Sequence, residues 1–241
     1  MKFKVKEFRT KSEFYSSEND TNVEFSEIKD ITCEAEEGHQ SMCRFCWMDT
    51  ETEDNPKVCP CKCLGSVKWI HFKCLKQWLE NKMQTKNSES HHTISWKQFE
   101  CELCLHHFTY AFKYMDKIWS LVDIYRPEDK SVPYIILESL DIEKNSSWII
   151  HTAIFSDPSK KFSLGRGHES DLRINDISVS RLHANLVYKD DKFILIDCRS
   201  KFGTLALHHG DLVLDQDSPK TIQIGRTVVT VYPKNTSPWN N

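Results

Sequence analysis

Residues 58–74 read VCPCKCLGSVKWIHFKC and hold four of the chain's ten cysteines together with one histidine. Cys59, Cys61 and Cys63 alternate with other residues, and His71 and Cys74 follow as an HxxC pair. Two CxxC pairs flank the stretch, Cys43–Cys46 before it and Cys101–Cys104 after it. Structural zinc takes four thiolate or imidazole ligands in a closed tetrahedron. The three pairs supply six ligands, and the CxC pair Cys61–Cys63 completes eight, the number two ions need.

Composition favours metal over disulfides. The 241 residues carry 28% charged and 39% hydrophobic side chains, with a formal charge of −3. That balance points to neither a nucleic-acid binder nor a membrane-surface protein. No apolar run reaches the length of a membrane span, and the opening MKFKVKEFRT has no apolar core to serve as a signal peptide. An intracellular, soluble protein of the cytoplasm or nucleus is expected, and there clustered cysteines bind metal more often than they pair. Eight of the ten lie between Cys43 and Cys104, leaving Cys33 and Cys198 as ordinary free thiols.

Outward from this centre, residues 11–39 hold nine Asp or Glu against two Lys, which predicts an acidic, disordered tail over 1–38. In HFKCLKQWLENK (71–82), Phe72, Leu75, Trp78 and Leu79 fall on one helical stripe. NSESHHT (87–93) reads as a surface loop. YAFKYMDKIWSLVDIY (110–125) has apolar residues at helical spacing and predicts a linking helix within 111–131, closed by Pro127. From Pro133 the chain becomes short apolar, β-branched runs: PYIILESL, SWIIHTAIF, KFSLG, DLRI, HANLVY, KFILID and TVVTVY. Polar turns separate them, a pattern expected of an antiparallel sandwich over 132–235, with a tail at 236–241.

CRFC … CKCLGSVKWIHFKCLKQWL … CELC resembles a RING-variant (RING-CH) zinc finger over 43–108. That family has a CxC pair, a seven-residue gap to histidine, HxxC, and a tryptophan four residues on, as Cys63, His71, Cys74 and Trp78 do here. The register implied is Cys61–Cys63, with Cys59 left out as a core thiol or a donor beside the site. The resemblance also implies interleaved pairing: Cys43, Cys46, His71 and Cys74 on one zinc, and Cys61, Cys63, Cys101 and Cys104 on the other. Each ion then ties distant segments together in place of a large apolar core. Both ions are fully ligated, so metal-assisted hydrolysis is not expected. The implied activity is that of a RING-type ubiquitin ligase, which holds a ubiquitin-conjugating enzyme through an apolar residue of the first knuckle and the later tryptophan, here Phe45 and Trp78. Leu105 stands where many such ligases have a cation. A PHD finger, which reads histone tails, shares the ligand order, and Phe99 suits it, but the CxC pair and the long gap to His71 do not.

SLGRGHESDLRINDISVSRLHANLVY … DCRSKFGT (163–204) resembles a forkhead-associated (FHA) domain, a β-sandwich that binds phosphothreonine peptides. Gly165–Arg166, Asp171, Ser180 to His183 and Ser200 to Thr204 carry the likeness. It implies phosphate contacts from Arg166 and Ser180, a positive rim from Arg181 and Lys201, and a bracing role for His183. Phe202 replaces the Asn that commonly precedes the loop glycine. Together the two likenesses imply an α+β multidomain chain, a small cross-braced zinc module followed by an all-β FHA sandwich. The function expected is a ubiquitin ligase that recruits phosphorylated proteins, with a non-catalytic adaptor or a histone-tail reader as alternatives.

Overall fold

The computed structural model describes residues 2–11, 14–16, 29–30, 41–140, 147–207, 210, 220–224 and 227–231. Most of the expected acidic tail, Cys33 and the tail at 236–241 lie outside the described residues. In chain order the elements are β1 (Phe3–Arg9), β2 (Phe14–Ser16), β3 (Lys29–Asp30), β4 (Lys57–Val58), β5 (Ile70–His71), α1 (Phe72–Glu80), β6 (Gln84–Asn87) and β7 (His91–Trp96). They continue with β8 (Ala111–Tyr114), β9 (Lys117–Ser120), β10 (Tyr134–Ser139), β11 (Trp148–Ile154), β12 (Lys161–Gly165), β13 (Leu172–Arg173), β14 (Ala184–Lys189), β15 (Lys192–Asp197), β16 (Lys220–Ile224) and β17 (Thr227–Val231). The chain divides into two units, 1–203 and 204–241. Among its described residues the second holds the antiparallel hairpin β16–β17, from Lys220 opposite Val231 to Ile224 opposite Thr227.

The first unit is built on a six-stranded sheet in the order β2-β1-β10-β11-β7-β6. Side chains alternate across a strand, so one strand can feed two cores. Tyr134 and Ile136 of β10 and Ile150 and Ile154 of β11 pack with Cys43, Leu75, Phe99, Phe112 and Trp119 on one face. Ile135 of β10 and Ala153 of β11 pack with Phe155, Phe162, Leu172 and Leu186 on the other. Burial on both faces explains why these strands read as continuous apolar runs. A second sheet, β13-β12-β14-β15, covers the latter face; its β12–β13 pair is parallel, where antiparallel pairing throughout was expected.

Three local expectations are corrected. Residues 111–120 form the hairpin β8–β9, not a linking helix. Met115 and Asp116 take φ of 48° and 61°, both left-handed, as the two-residue turn of a twisted hairpin requires. This lets Phe112 and Trp119, directly opposed, both turn into the core. The loop expected over 87–93 is confined to 88–90, because Asn87 ends β6 and residues 91–93 open β7, which pairs with β11 on one side and β6 on the other. Finally, 3–9 is strand β1, not tail, and its carboxylate Glu7 is enclosed by Arg126, with guanidinium contacts of 2.7–2.9 Å, and by the Tyr134 hydroxyl. Burial opposes ionisation of Glu7, yet the bonds from Arg126 and Tyr134 win and hold its carboxyl below the usual range. Glu138, buried on β10, accepts Lys6 at 3.2 Å and the Trp148 indole at 3.1 Å, joining β1, β10 and β11.

Candidate functional sites

The two CxxC pairs fold alike. In the first, Trp47 N donates to Cys43 O at 2.8 Å and Cys43 N to Met48 O at 2.9 Å; in the second, Leu105 N donates to Cys101 O and Cys101 N to His106 O, both at 2.9 Å. Trp47 and Leu105 both adopt positive φ, 61° and 57°, turning each chain back so that N–H groups of the knuckle aim at its first sulfur. The stripe predicted for 71–82 is α1, whose Phe72, Leu75 and Leu79 are buried. The Asn55 side chain receives Lys73 N at 2.9 Å, satisfying a free N–H of the first turn. This seats His71 and Cys74 at the helix start, one turn apart.

The eight expected ligands fall into two clusters, Cys43, Cys46, His71 and Cys74, and Cys61, Cys63, Cys101 and Cys104, each with its ligand atoms within 4.8 Å of one another. A tetrahedral zinc with bonds of about 2.3 Å to sulfur and about 2.0 Å to nitrogen spaces its ligands by roughly 3.5–3.8 Å. Cys63 and Cys101 sulfurs lie 3.7 Å apart, and His71 Nδ1 lies 3.2 Å from Cys46 and 4.0 Å from Cys74. His71 Nε2 donates to the Thr50 carbonyl at 2.8 Å. A carbonyl only accepts, so Nε2 carries the proton and Nδ1 presents its lone pair to the metal. Burial, with neighbouring sulfurs, pushes the Cys61 and Cys74 thiols up to about 12. Burial also opposes ionisation of Cys101, but the N–H groups of Cys104 and Leu103 and the Arg44 guanidinium outweigh it, bringing that thiol down to about 6. A divalent cation at the centre supplies the charge that lets all the thiols ionise together. The two tetrads fit two zinc ions, and Cys59 belongs to neither.

Sequence reasoning missed three supporting groups. Buried Lys57 donates to Ser41 O, Ser41 Oγ and Asp49 O, each at 2.9 Å, clamping the chain on both sides of the first knuckle. The Thr50 carbonyl orients His71, and no side-chain pattern reveals a carbonyl. Arg44 sends its guanidinium to sulfurs of the second tetrad, donating to Cys63 and Cys101 at 3.4 Å each. Burial opposes its charge, but the hydrogen bonds to Cys101 and Cys63 and the charges of Cys101 and Cys61 together outweigh it and raise its pKa.

Phe45 and Trp78 meet face to face, with centroids 5.8 Å apart and planes 27° apart, and both are half-buried. Lys82 Nζ sits 3.7 Å from the centre of the Trp78 ring and pairs with Glu102 at 2.9 Å. Leu105 is 70% exposed.

On the other sheet, the β12–β13 turn and the chain before β14 are joined through their backbones. Arg166 N donates to Ser180 O and Gly167 N to Arg181 O, both at 3.0 Å. A β-carbon on Gly165 would lie 1.9 Å from Arg181 O, so only glycine permits this approach. Ser180 Oγ accepts Lys201 N at 3.0 Å, which draws the third loop in and leaves the hydroxyl proton free to donate. His183 Nδ1 accepts Ser180 N at 3.3 Å, the bracing contact expected of it, and Asp171 holds Ser163 N and Oγ. Arg166, Ser180, Arg181 and Lys201 are thus brought together on three adjoining loops, with both arginines and Lys201 exposed. Phe202 is exposed, with Lys201 Nζ 5.2 Å from its ring centre.

Residues 43–104 match the RING-variant domain and residues 162–228 match the FHA domain. The chain carries both domains. The E3 ubiquitin-protein ligase MARCHF7 of Rattus norvegicus is 38% identical over 71 residues, 30% of this chain and 9% of that protein. The probable E3 ubiquitin ligase SUD1 of Arabidopsis thaliana is 33% identical over 81 residues, 34% of this chain and 6% of that protein. The ERAD-associated E3 ubiquitin-protein ligase DOA10 of Saccharomyces cerevisiae is 50% identical over 40 residues, 17% of this chain and 3% of that protein. The chain therefore spans less than a tenth of the length of these relatives. No solved structure matches it. Among the described residues no helix is long and apolar enough to cross a membrane. The aromatic that suited a histone reader, Phe99, is 4% exposed and stacks on Trp96 at 5.8 Å, so it offers no open face to a ligand beside the RING-variant tetrads.

Proposed function

We propose that this protein is a RING-type ubiquitin ligase whose FHA domain recruits phosphothreonine-bearing partners. The observation that carries the reading is the pair of closed four-ligand clusters in a RING-variant domain whose relatives are named as ubiquitin ligases. Closed tetrahedra leave zinc no position for substrate, so zinc shapes the domain while the protein surface performs the positioning. Such a surface holds a conjugating enzyme so that its thioester-linked ubiquitin lies within reach of an acceptor lysine; the gain comes from orientation, without a covalent intermediate on this chain. The stacked pair Phe45 and Trp78 provides the apolar contact. At the FHA loops, the Arg166 fork and the Ser180 hydroxyl bind the phosphate, with Arg181 and Lys201 adding positive charge at the rim. Phe202 in place of Asn removes one clamp on the peptide backbone, so phosphate dominates recognition over flanking residues.

A second reading, an adaptor without transfer activity, draws on the exposed Leu105 where a cation is common and on Lys82 covering the Trp78 face. Discharge of ubiquitin from a panel of charged conjugating enzymes by the full chain decides between them. Accelerated discharge that Trp78→Ala abolishes, with zinc content kept, supports the ligase. Rates equal to those without the protein leave the adaptor. Phosphopeptide binding is tested separately with a phosphothreonine library and its unphosphorylated twin on the full chain. Equal binding to both, or unchanged binding by Arg166→Ala, overturns phosphate recognition.

A further inference from the structure

Arg44 stands between Cys43 and Cys46, inside the knuckle of one tetrad, yet its side chain serves the other. Nη1 donates to Cys63 Sγ at 3.4 Å and to the Val67 carbonyl at 3.0 Å, and lies 3.9 Å from Cys61 Sγ. Nη2 donates to Cys101 Sγ at 3.4 Å. The Arg44 backbone N bonds the Trp69 carbonyl at 3.0 Å, anchoring the residue at its base. The guanidinium carbon also lies 5.4 Å from the centre of the Phe45 ring, the ring that stacks on Trp78.

The charges of the two tetrads explain the direction of reach. Zinc with three thiolates and an imidazole carries a formal −1, whereas zinc with four thiolates carries −2. The cation goes to the site with the larger negative excess. A guanidinium is planar and always charged, so it offers two N–H groups at fixed spacing to two sulfurs at once. Charged hydrogen bonds draw electron density from the sulfur lone pairs that would otherwise attack electrophiles. The fork also sets the separation of Cys63 and Cys101, which come from segments 38 residues apart in the chain.

We propose that Arg44 is a positioning residue for the all-cysteine zinc site: it clasps the Cys63 and Cys101 sulfurs, shields that site from electrophiles and chelators, and makes it depend on the knuckle of the mixed site. The inference rests on both tetrads holding zinc. The test uses the full chain loaded with zinc, with Arg44→Met, which keeps the aliphatic reach, and Arg44→Lys, which keeps the charge but loses the fork. Zinc per chain is measured first by elemental analysis. Limiting N-ethylmaleimide is then added with a chromogenic zinc chelator, and mass spectrometry locates the alkylated cysteines over time.

In Arg44→Met, alkylation of Cys61, Cys63 and Cys101 accelerates roughly tenfold, the scale of one lost charged hydrogen bond. Cys43, Cys46 and Cys74 change by less than about twofold in the same sample, and Arg44→Lys falls between wild type and Arg44→Met. In the cobalt-substituted protein, the thiolate-to-cobalt absorption of the all-cysteine site moves to lower energy when the hydrogen bonds are lost. Equal acceleration at the ligands of both tetrads would mean that Arg44 merely supports the fold, and unchanged rates would mean that it supports nothing; either overturns the proposal. Fewer than two zinc per wild-type chain overturns the two-ion reading and the clasp with it. If Arg44→Met purifies without zinc, Arg44→Lys carries the same site-by-site comparison.

Discussion

Residues 130–241 contain the whole FHA-like stretch, and the chain predicts a fragment that does not fold by itself. Cutting at residue 130 removes β1 and β7, the neighbours of β10 and β11 in the six-stranded sheet, leaving both strands with an unpaired edge. It also uncovers the face that packs on the zinc module. Tyr134, Ile136, Ile150 and Ile154 are 0–4% exposed in the full chain. Exposing a large apolar side chain costs about 1.5–3 kcal/mol, so the four together cost about 6–12 kcal/mol. Domains are stable by only about 5–15 kcal/mol, so the loss equals most or all of what is present. Glu138 would lose its Lys6 partner and Tyr134 its Glu7 partner in the same cut. Urea unfolding followed by circular dichroism, together with amide NMR spectra, gives the readout: the full chain unfolds cooperatively, while the fragment shows no transition and collapsed amide dispersion. A fragment that melts cooperatively with a midpoint near that of the full chain would refute the shared-sheet reasoning. It would also mean that the contacts between β10–β11 and the zinc module contribute little.

Three further outcomes are expected. Cys61→Ser loses one zinc per chain by elemental analysis while Cys59→Ser keeps both; the reverse ranking would place the ligand register at Cys59. Gly165→Ala, which drives a β-carbon into the Arg181 carbonyl, destabilises by about 1–3 kcal/mol in urea melts and weakens phosphopeptide binding more than a surface change would; unchanged binding would show that this backbone approach is not needed. His151 lies on the sandwich side of the shared sheet with Nδ1 2.9 Å from Thr93 Oγ1, and burial, aided by the nearby His91, brings its pKa down to about 4. The unfolded chain takes up this proton below about pH 6.5 and the folded chain only near pH 4, so stability is intact above neutrality and falls through that window. The deficit is roughly 1–1.5 kcal/mol at pH 5.5, and it should appear as the difference in pH dependence between wild type and His151→Leu, since zinc loss is common to both. Identical pH slopes for the two proteins would assign the acid sensitivity elsewhere.

The paired ligands were legible because tetrahedral coordination imposes short, fixed spacings that the chain must carry locally, while the choice of Cys61–Cys63 over Cys59 and the interleaved pairing came from the RING-variant resemblance; the α1 stripe was legible for the same local reason as the pairs. What was not legible depended on partners distant in the chain. NSESHHT is polar enough to read as loop throughout, and its last three residues open strand β7 only because β6 and β11 supply their hydrogen bonds. The run 110–125 fits both a helical and a strand period, and nothing in Met115–Asp116 announces a tight turn, since neither residue is the glycine or asparagine that usually occupies one. The Arg44 clasp and the Thr50 carbonyl could be found only once the two tetrads were placed side by side.

Strand β1 shows the most instructive concealment. In KFKVKEFR, Phe3 and Val5 are odd-numbered and Phe8 is even, so a simple two-residue period puts Phe8 on the wrong face and the segment looks unpatterned. The structure shifts register between Val5 and Glu7, with Phe3, Val5 and Phe8 opposite Ser139, Leu137 and Ile135. An extra residue in one strand reverses the alternation beyond it. Phe3 and Phe8 therefore both pack against the sandwich core, while Glu7 turns to the opposite face, where Arg126 and Tyr134 hold it. The bulge thus gives the strand two apolar anchors on one side and one buried ion pair on the other. A segment that composition assigns to a solvated tail becomes the edge-side neighbour of β10 and part of the frame on which both cores rest.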